Sequence, residues 1–490
     1  MLIVGFQDGT IIDKEERKSL LGGKGTSLVE MSTDLALPVP PGFVITTQAF
    51  HQYIEEGSVD FLQGDLQKAI IQIENRVNKK FGEGPNPLLV SVRSGAAISM
   101  PGMMDTILNL GLNTRTTQAL ERQSNKHFAD ECRNRFRTMY SSIVLQQDEV
   151  RETDIPEDTW QQLLNAIEAV FNSWNSPRAI TYRNIENISH TLGTAVTVQS
   201  MVFGNMGPQS GTGVAFTRNP STGVKEIFGD YLPNAQGEDV VAGTHQTLKL
   251  EEMKKIVPDA YQKLSTTMEN LEWFFNDMVD IEFTVENSEL WILQSRVGKR
   301  TPLAAIQIAV DMVNDPKFAL RKNDAIARVP SETLIKAKEG QRTAERASAI
   351  AKGIGASPGI AVGQAVFSAD DAVDFDDDGK PVILIRSETS PSDVHGMAIA
   401  QGILTATGGL ASHAAVVARG WGIPAVVGAT EISISESIIR IGNHVIKKGD
   451  TVTIDGASGE IFLEEIDYVE VETVPALKIF TEWLEEMNSI

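Results

Sequence analysis

Residues 329–352 are rich in Lys, Glu, Arg and Ala and poor in large apolar side chains. A stretch of that kind has no face to bury, so it is expected to be a charged, helical connector between separately packed domains. The texture on its two sides differs. Upstream, strand-like runs alternate with long helical patterns. Downstream, from 353 to 465, the chain turns to short strands and glycine turns, ending in Gly449-Asp450-Thr451-Val452-Thr453-Ile454-Asp455-Gly456. At 490 residues the chain is too long for one core, and two to four domains are expected. The boundaries anticipated are 1–328, the connector 329–352, 353–465, and a helical tail at 466–490.

Within the first part, the turn Leu21-Gly22-Gly23-Lys24-Gly25 leads into a helical pattern over 26–31. Leu37-Pro38-Val39-Pro40-Pro41-Gly42 then interrupts the chain, and Phe43-Val44-Ile45-Thr46-Thr47 reads as a strand. A buried strand is expected at 88–93, and a helical insertion at about 114–175. Strands are expected at 194–203 and 211–217, and a hairpin at 278–285 and 290–295. Residues 299–315 read as helix. The acidic run Asp374-Phe375-Asp376-Asp377-Asp378-Gly379 reads as a solvated loop. The fold class is α/β in the broad sense, a multidomain α+β chain.

The net charge of −22 argues against a general nucleic-acid binder, which needs a basic footprint. A mononucleotide needs only a few cationic side chains and backbone donors. Cys132 is the only cysteine, which excludes an intrachain disulfide and a multi-thiolate metal site. No apolar run is long enough to span a bilayer, and the N-terminus has no basic region followed by a long apolar stretch. A cytoplasmic protein without a membrane partner is expected.

The best candidate for chemistry is His413, in Gly408-Gly409-Leu410-Ala411-Ser412-His413-Ala414-Ala415-Val416-Val417-Ala418-Arg419-Gly420. Ser412 is a fitting N-cap, 414–419 are good helix residues, and Gly420 suits the C-terminal stop. A helix start favours both a neutral imidazole and a phosphoryl dianion, and neutral imidazole is nucleophilic. Lys24 is either part of an ordinary turn or a phosphate contact; the loop lacks the P-loop spacing. Arg93, after a buried strand, needs an anionic partner that is either a ligand or a structural carboxylate. The stretch Met100-Pro101-Gly102-Met103-Met104-Asp105-Thr106 is either core and turn or a flap. Glu282 and Gln294 would lie directly opposite each other if the hairpin loop were Asn287-Ser288-Glu289, and Asp280 shares the face of Glu282. That face is either a polar surface or a site for Mg²⁺ completed by phosphate and water. The segment 211–220, with Thr217 and Arg218, suits either a plain strand and turn or a phosphate-covering loop.

Several segments, in this order, resemble the pyruvate, phosphate dikinase family. They are Leu21-Gly22-Gly23-Lys24-Gly25, Val39-Pro40-Pro41-Gly42-Phe43, residues 91–111, Phe171-Asn172-Ser173-Trp174-Asn175-Ser176-Pro177-Arg178-Ala179, and residues 211–223. Asn234-Ala235-Gln236-Gly237-Glu238-Asp239-Val240-Val241-Ala242-Gly243 and the His413 segment complete the set. The resemblance runs through nearly the whole chain. It implies an ATP-grasp nucleotide-binding domain with a helical insertion, followed by a swivelling phosphohistidine β/β/α domain. Lys24 and Arg93 then resemble the contacts to the ATP phosphates. Glu282 and Gln294 resemble the Mg²⁺ ligands, with Asp280 and Arg296 beside them. Gln199, Met201 and Val202 fall in the stretch resembling the adenine hinge, Thr217 in the phosphate-covering segment, and His413 resembles the phosphohistidine.

The activity so implied is transfer from ATP to His413 with inorganic phosphate as co-substrate, giving AMP and pyrophosphate. Two departures stand out. The family's threonine two residues before the histidine is Ala411 here. The family's pyruvate-binding (β/α)₈ barrel has no counterpart, since the sequence stops after segments resembling the helix that leads into it (Thr473-Val474-Pro475-Ala476-Leu477 and residues 480–487). Three readings follow: a separate barrel protein receives the phosphoryl group, another acceptor does, or this sequence is a piece of a longer protein. The alternatives are a phosphoenolpyruvate synthase-like or small-molecule phosphotransferase half, which Gly422-Ile423-Pro424-Ala425-Val426-Val427-Gly428 also resembles, and a non-catalytic nucleotide-binding paralogue.

Overall fold

The computed structural model describes residues 1–100, 102–147, 154–241, 247–339, 342–344, 348–435, 438–441, 444–466, 468–470 and 474–488. Pro101, Ala242, Gly243, Thr473 and part of 329–352 lie outside the described residues. The fold is mixed α/β and divides into two compact units, Met1–Gly211 with Phe283–Arg296, and Thr212–Glu282 with Val297–Ile490.

The first unit is built on an antiparallel sheet ordered Ile3–Gly5, Gly42–Ile45, Ala195–Ser200, Val90–Gly95 and Thr106–Leu110. Strands Gly42–Ile45 and Ala195–Ser200 are buried along their whole length, and Val90–Gly95 is buried except at Arg93. The turn at Leu21–Gly25 is a break inside the helix Lys14–Val29, where Gly22 leaves helical geometry at φ 69°, ψ 170°. A Cβ at Gly22 would lie 1.7 Å from the Gly95 carbonyl oxygen, so only glycine allows this approach. The expected insertion is helical over Thr114–Gln123, Lys126–Met139 and Thr159–Ser173, with side-chain caps from Asn113, Asn125 and Asp158.

The second unit holds an eight-stranded sheet ordered Ala351–Lys352, Glu460–Phe462, Thr451–Asp455, Ile360–Val366, Val382–Arg386, Gly402–Thr405, Ala425–Val427 and Ile354–Ser357. Four successive strands, from Ile360–Val366 to Ala425–Val427, are parallel. Helices Ala369–Asp377, Val394–Ile399 and His413–Trp421 are the crossovers within that run. A second sheet is ordered Leu248–Lys249, Phe228–Pro233, Gly211–Phe216, Val279–Glu286 and Glu289–Val297; along the chain the last three of these strands each cross a unit boundary.

Some local expectations are corrected. Residues 329–352 lie within the second compact unit. That stretch contains a helix, Ser331–Glu339, and a strand, Arg342–Ala344, paired with Tyr468–Glu470. Ala337 gives the helix one buried contact with the core around Ile306 and Val310, and Lys336 Nζ donates to the Trp421 carbonyl at 2.7 Å. The acidic run is not a loop. Residues Ala369–Asp377 form a helix, capped by Ser368, whose hydroxyl accepts from the Asp371 amide at 3.0 Å, with Asp370 and Asp371 in the favourable first turn. The histidine helix passes through Gly420 and ends at Trp421; the left-handed cap is Gly422, at φ 68°. The tail forms the helix Pro475–Asn488, with Ala476, Leu477, Phe480 and Trp483 in the same core as Ile306. Among the described residues no helix is long and apolar enough to cross a membrane.

Candidate active site

His413 is the first residue of the crossover helix between the parallel strands Gly402–Thr405 and Ala425–Val427. The neighbouring strand, Val382–Arg386, pairs in register with Gly402–Thr405, with Arg386 opposite Thr405. The segments after these two strands therefore emerge side by side, where parallel sheets place their sites. Backbone pairing continues beyond the strands, Ala406 to Arg386 at 3.0 Å and Thr407 to Ser387 at 2.9 Å. This brings Thr389 to His413, with Oγ1 3.0 Å from Nδ1. Nε2 is buried and has no hydrogen-bond partner among the described residues. Burial pushes the imidazole pKa down to about 4, against the opposing pull of Asp393. The ring is neutral at physiological pH, with one nitrogen engaged and the other available.

The turn in front of the histidine is held from two sides. Asp230, on strand Phe228–Pro233, accepts from the Ala411 amide at 3.2 Å and from Thr247 Oγ1 at 3.0 Å. Burial raises the Asp230 carboxyl, while the Thr247 and Ala411 bonds and nearby Arg419 lower it. Arg419 is 1% exposed. It donates to the Leu410 carbonyl at 2.6 Å and lies over the Phe216 ring at 5.7 Å. Ser412 takes the N-cap position without a side-chain cap bond, and its buried hydroxyl has no partner among the described residues.

The other expected residues fall in both units. In the first, Lys24 lies just after the break at Gly22, and the Gly23 amide donates to the Ala96 carbonyl at 2.9 Å. Arg93 donates to Gln294 Oε1 at 3.3 Å and to the Leu293 carbonyl at 3.4 Å. These two expected residues are thus brought together. Arg296, half-buried, lies close enough to Tyr182 to lower its pKa against the larger effect of burial. A hydroxyl pair, Ser27 and Ser295 at 2.7 Å, ties the Lys24 helix to the strand carrying Gln294 and Arg296. Gln199 is buried and donates to the Pro40 carbonyl at 3.1 Å; Met201 and Val202 follow its strand, half-buried.

In the second unit, Asp280 is buried and Glu282 half-buried on one strand, two residues apart and so on one face. Thr217 is buried, and its Oγ1 accepts from the Val279 amide at 3.0 Å, so its hydroxyl serves the sheet. Arg218 is structural. It is 1% exposed, with Nε bonded to Glu272 at 2.7 Å and Nη1 to Asp311 at 3.1 Å. The hairpin loop is the two residues Asn287-Ser288, at φ 49° and 68°. It is one residue shorter than the loop on which direct opposition of 282 and 294 depends. Among the described residues no group of three or more His, Cys, Asp or Glu could hold a metal ion.

Residues 18–62 and 60–251 match the family profile described as pyruvate phosphate dikinase, AMP/ATP-binding domain. Residues 379–459 match the mobile domain of PEP-utilising enzymes. The chain is 43% identical over 532 residues to the chloroplastic pyruvate, phosphate dikinase of Flaveria trinervia, covering 99% of this chain and 56% of the relative. The pyruvate, phosphate dikinase of Rickettsia felis is 43% identical over 524 residues, covering 96% of this chain and 59% of the relative. The chain belongs to the pyruvate, phosphate dikinase family. It spans little more than half the length of these relatives. The family's mobile-domain profile covers both Thr389 and His413.

Thr389 and Asp230 are the residues that sequence reasoning missed. Thr389 had a signal. Ser387-Glu388-Thr389-Ser390-Pro391-Ser392-Asp393 is a hydroxyl-rich helix entry, and Ser390 and Asp393 form a capping box there. Asp230 sits in a strand without a local marker.

Proposed function

We propose that this chain transfers a phosphoryl group from ATP to Nε2 of His413, with inorganic phosphate as co-substrate. The observation that carries this is the state of His413: neutral, at a helix start, Nδ1 engaged by Thr389 and Nε2 buried without a partner among the described residues. In the tautomer where Nδ1–H donates to Thr389 Oγ1, the lone pair of Nε2 is free to attack. The Nε2–P bond forms at the β-phosphorus as the bond to the α-phosphate oxygen breaks, and AMP leaves. An oxygen of inorganic phosphate then attacks the terminal phosphorus. The P–O–P bridge breaks, pyrophosphate departs, and phospho-His413 remains.

Lys24 and Arg93 would neutralise the polyphosphate, and Arg296 and Asp280 would complete its surroundings. Gln199, Met201 and Val202 would hold the adenine. Glu282 and Gln294 would hold Mg²⁺. Their donor set, one carboxylate and one amide oxygen, suits a hard cation that takes its other ligands from phosphate and water. The Gln294 oxygen, engaged by Arg93 at 3.3 Å, keeps a second lone pair for the ion. Mg²⁺ supplies charge neutralisation to such transfers. The onward acceptor proposed is pyruvate, reached through a pyruvate-binding barrel in the same or a separate polypeptide.

Incubation with Mg²⁺ and ATP labelled at the β-phosphorus, with and without phosphate, tests this. Acid-labile protein label, absent from His413→Ala, is expected, with pyrophosphate formed only when phosphate is present. Equal label on the two proteins would sink the proposal. Label with release of phosphate from ATP and water alone would select the synthase-type reaction.

A further inference from the structure

The segment after strand Ala195–Ser200 has an uneven set of backbone donors. The Ser200 amide donates to the Pro41 carbonyl and the Met201 amide to Leu89, both at 2.9 Å. The Phe203 amide donates to Oε1 of Glu286 at 3.0 Å. Between them, the Val202 amide has no partner among the described residues.

Glu286 is half-buried at the end of strand Val279–Glu286. The turn that follows is tied to the same loop: the Asn287 amide donates to Ser210 Oγ at 2.9 Å and the Ser288 amide to the Gln209 carbonyl at 2.8 Å. The Phe203 ring meets Phe128 edge-on, with centroids 5.2 Å apart. Burial pushes the Glu286 carboxyl above its ordinary value, while Lys79 and the Phe203 amide draw it back. A desolvated carboxylate therefore takes one hinge amide and leaves its neighbour open.

We infer that Glu286 is a positioning residue for the nucleobase: by engaging the Phe203 amide it holds the hinge so that Val202 offers the one donor left for a ring nitrogen. This rests on 199–202 being the adenine hinge. A base with a bare ring nitrogen at that place, as in adenine, fits the open donor. A base with a ring N–H there, as in guanine, meets donor with donor. Without the carboxylate, the Phe203 amide becomes a second open donor one step along the hinge, and the register of the base is no longer set.

The test is calorimetric binding of ATP and of GTP to the full chain, in wild type, Glu286→Gln and Glu286→Leu. Glu286→Gln keeps a carbonyl acceptor and is expected to bind like wild type. Glu286→Leu is expected to lose about tenfold in ATP affinity, the scale of one unmade hydrogen bond, with a narrowed ATP-to-GTP ratio. If Glu286→Leu does not fold, Glu286→Asp, which shortens the reach, replaces it with the same expected direction. An unchanged ratio in the variant that lacks the contact overturns the assignment, as does an equal loss for both nucleotides. Wild type that binds neither nucleotide would overturn the hinge itself, and this role with it.

Discussion

Thr389 Oγ1 lies 3.0 Å from Nδ1 of His413 across 24 residues of sequence. The contact assigns work to both ring nitrogens, because a histidine nitrogen held by one group leaves the other to react. Thr389→Val is expected to slow phosphohistidine formation by about tenfold, the scale of one orienting hydrogen bond, with ATP binding unchanged. Thr389→Ser keeps the hydroxyl and is expected to retain most of the rate. Single-turnover labelling measures this; full speed in Thr389→Val would refute the tautomer assignment.

The acid limb of the labelling rate due to imidazole protonation is expected near pH 4 rather than 6.5, because burial lowers His413 to about 4. The unfolded chain binds this proton below about 6.5. Between about 6.5 and 4 the unfolded state thus holds more protons, and stability falls as the pH is lowered through that window. The contribution is on the order of 3 kcal/mol. Urea midpoints across this range should slope less steeply in His413→Gln than in wild type.

Gly22→Ala is expected to be severely destabilising, by more than about 2 kcal/mol, since the new methyl meets a backbone carbonyl at positive φ. Gly57 also has positive φ, but a methyl added there would have nothing within 4 Å; Gly57→Ala should cost only about 1 kcal/mol. Equal melting temperatures for the two variants would contradict the close approach of the 21–25 turn to Gly95.

Arg218→Met leaves Glu272, 2% exposed, without its nearest cation, although Lys225 remains at 3.7 Å. A loss of about 3–5 kcal/mol is expected. The double variant Arg218→Met with Glu272→Leu should recover much of it, because no buried charge is then left unpaired. Denaturant unfolding of the two variants reads this difference. A double variant no more stable than the single one would count against the ion pair as the cause.

Much of the fold was legible because its signals are local. Glycine and proline punctuation marked the break at Gly22 and the strand after Pro41. Charged faces and few glycines marked the helices of 114–175. The errors came where local signals compete. Gly420 looked like a stop, yet the αL position fell to Gly422, the next glycine along. The acidic run at 374–379 read as a solvated loop, yet its first residues end a helix that Asp370 and Asp371 stabilise in the first turn and to which Ala369 and Ala372 give a buried side. Arg218 read equally well as a phosphate contact, because its carboxylate partners, Glu272 and Asp311, lie far away in sequence.

The sequence alone determined that His413 begins a helix behind a glycine turn, that Lys24 follows a turn and that Arg93 belongs to a buried strand. Backbone preferences and short-range capping decide those features, and both act over a few residues. Only the tertiary structure decided that Thr389 meets Nδ1, that Asp230 holds the Ala411 amide, and that Arg93 reaches Gln294. Those partners depend on strand register and crossover packing: Arg386 opposite Thr405 brings Thr389 beside His413. Register is set by the burial of whole strand faces, which no local pattern around any one of these residues contains.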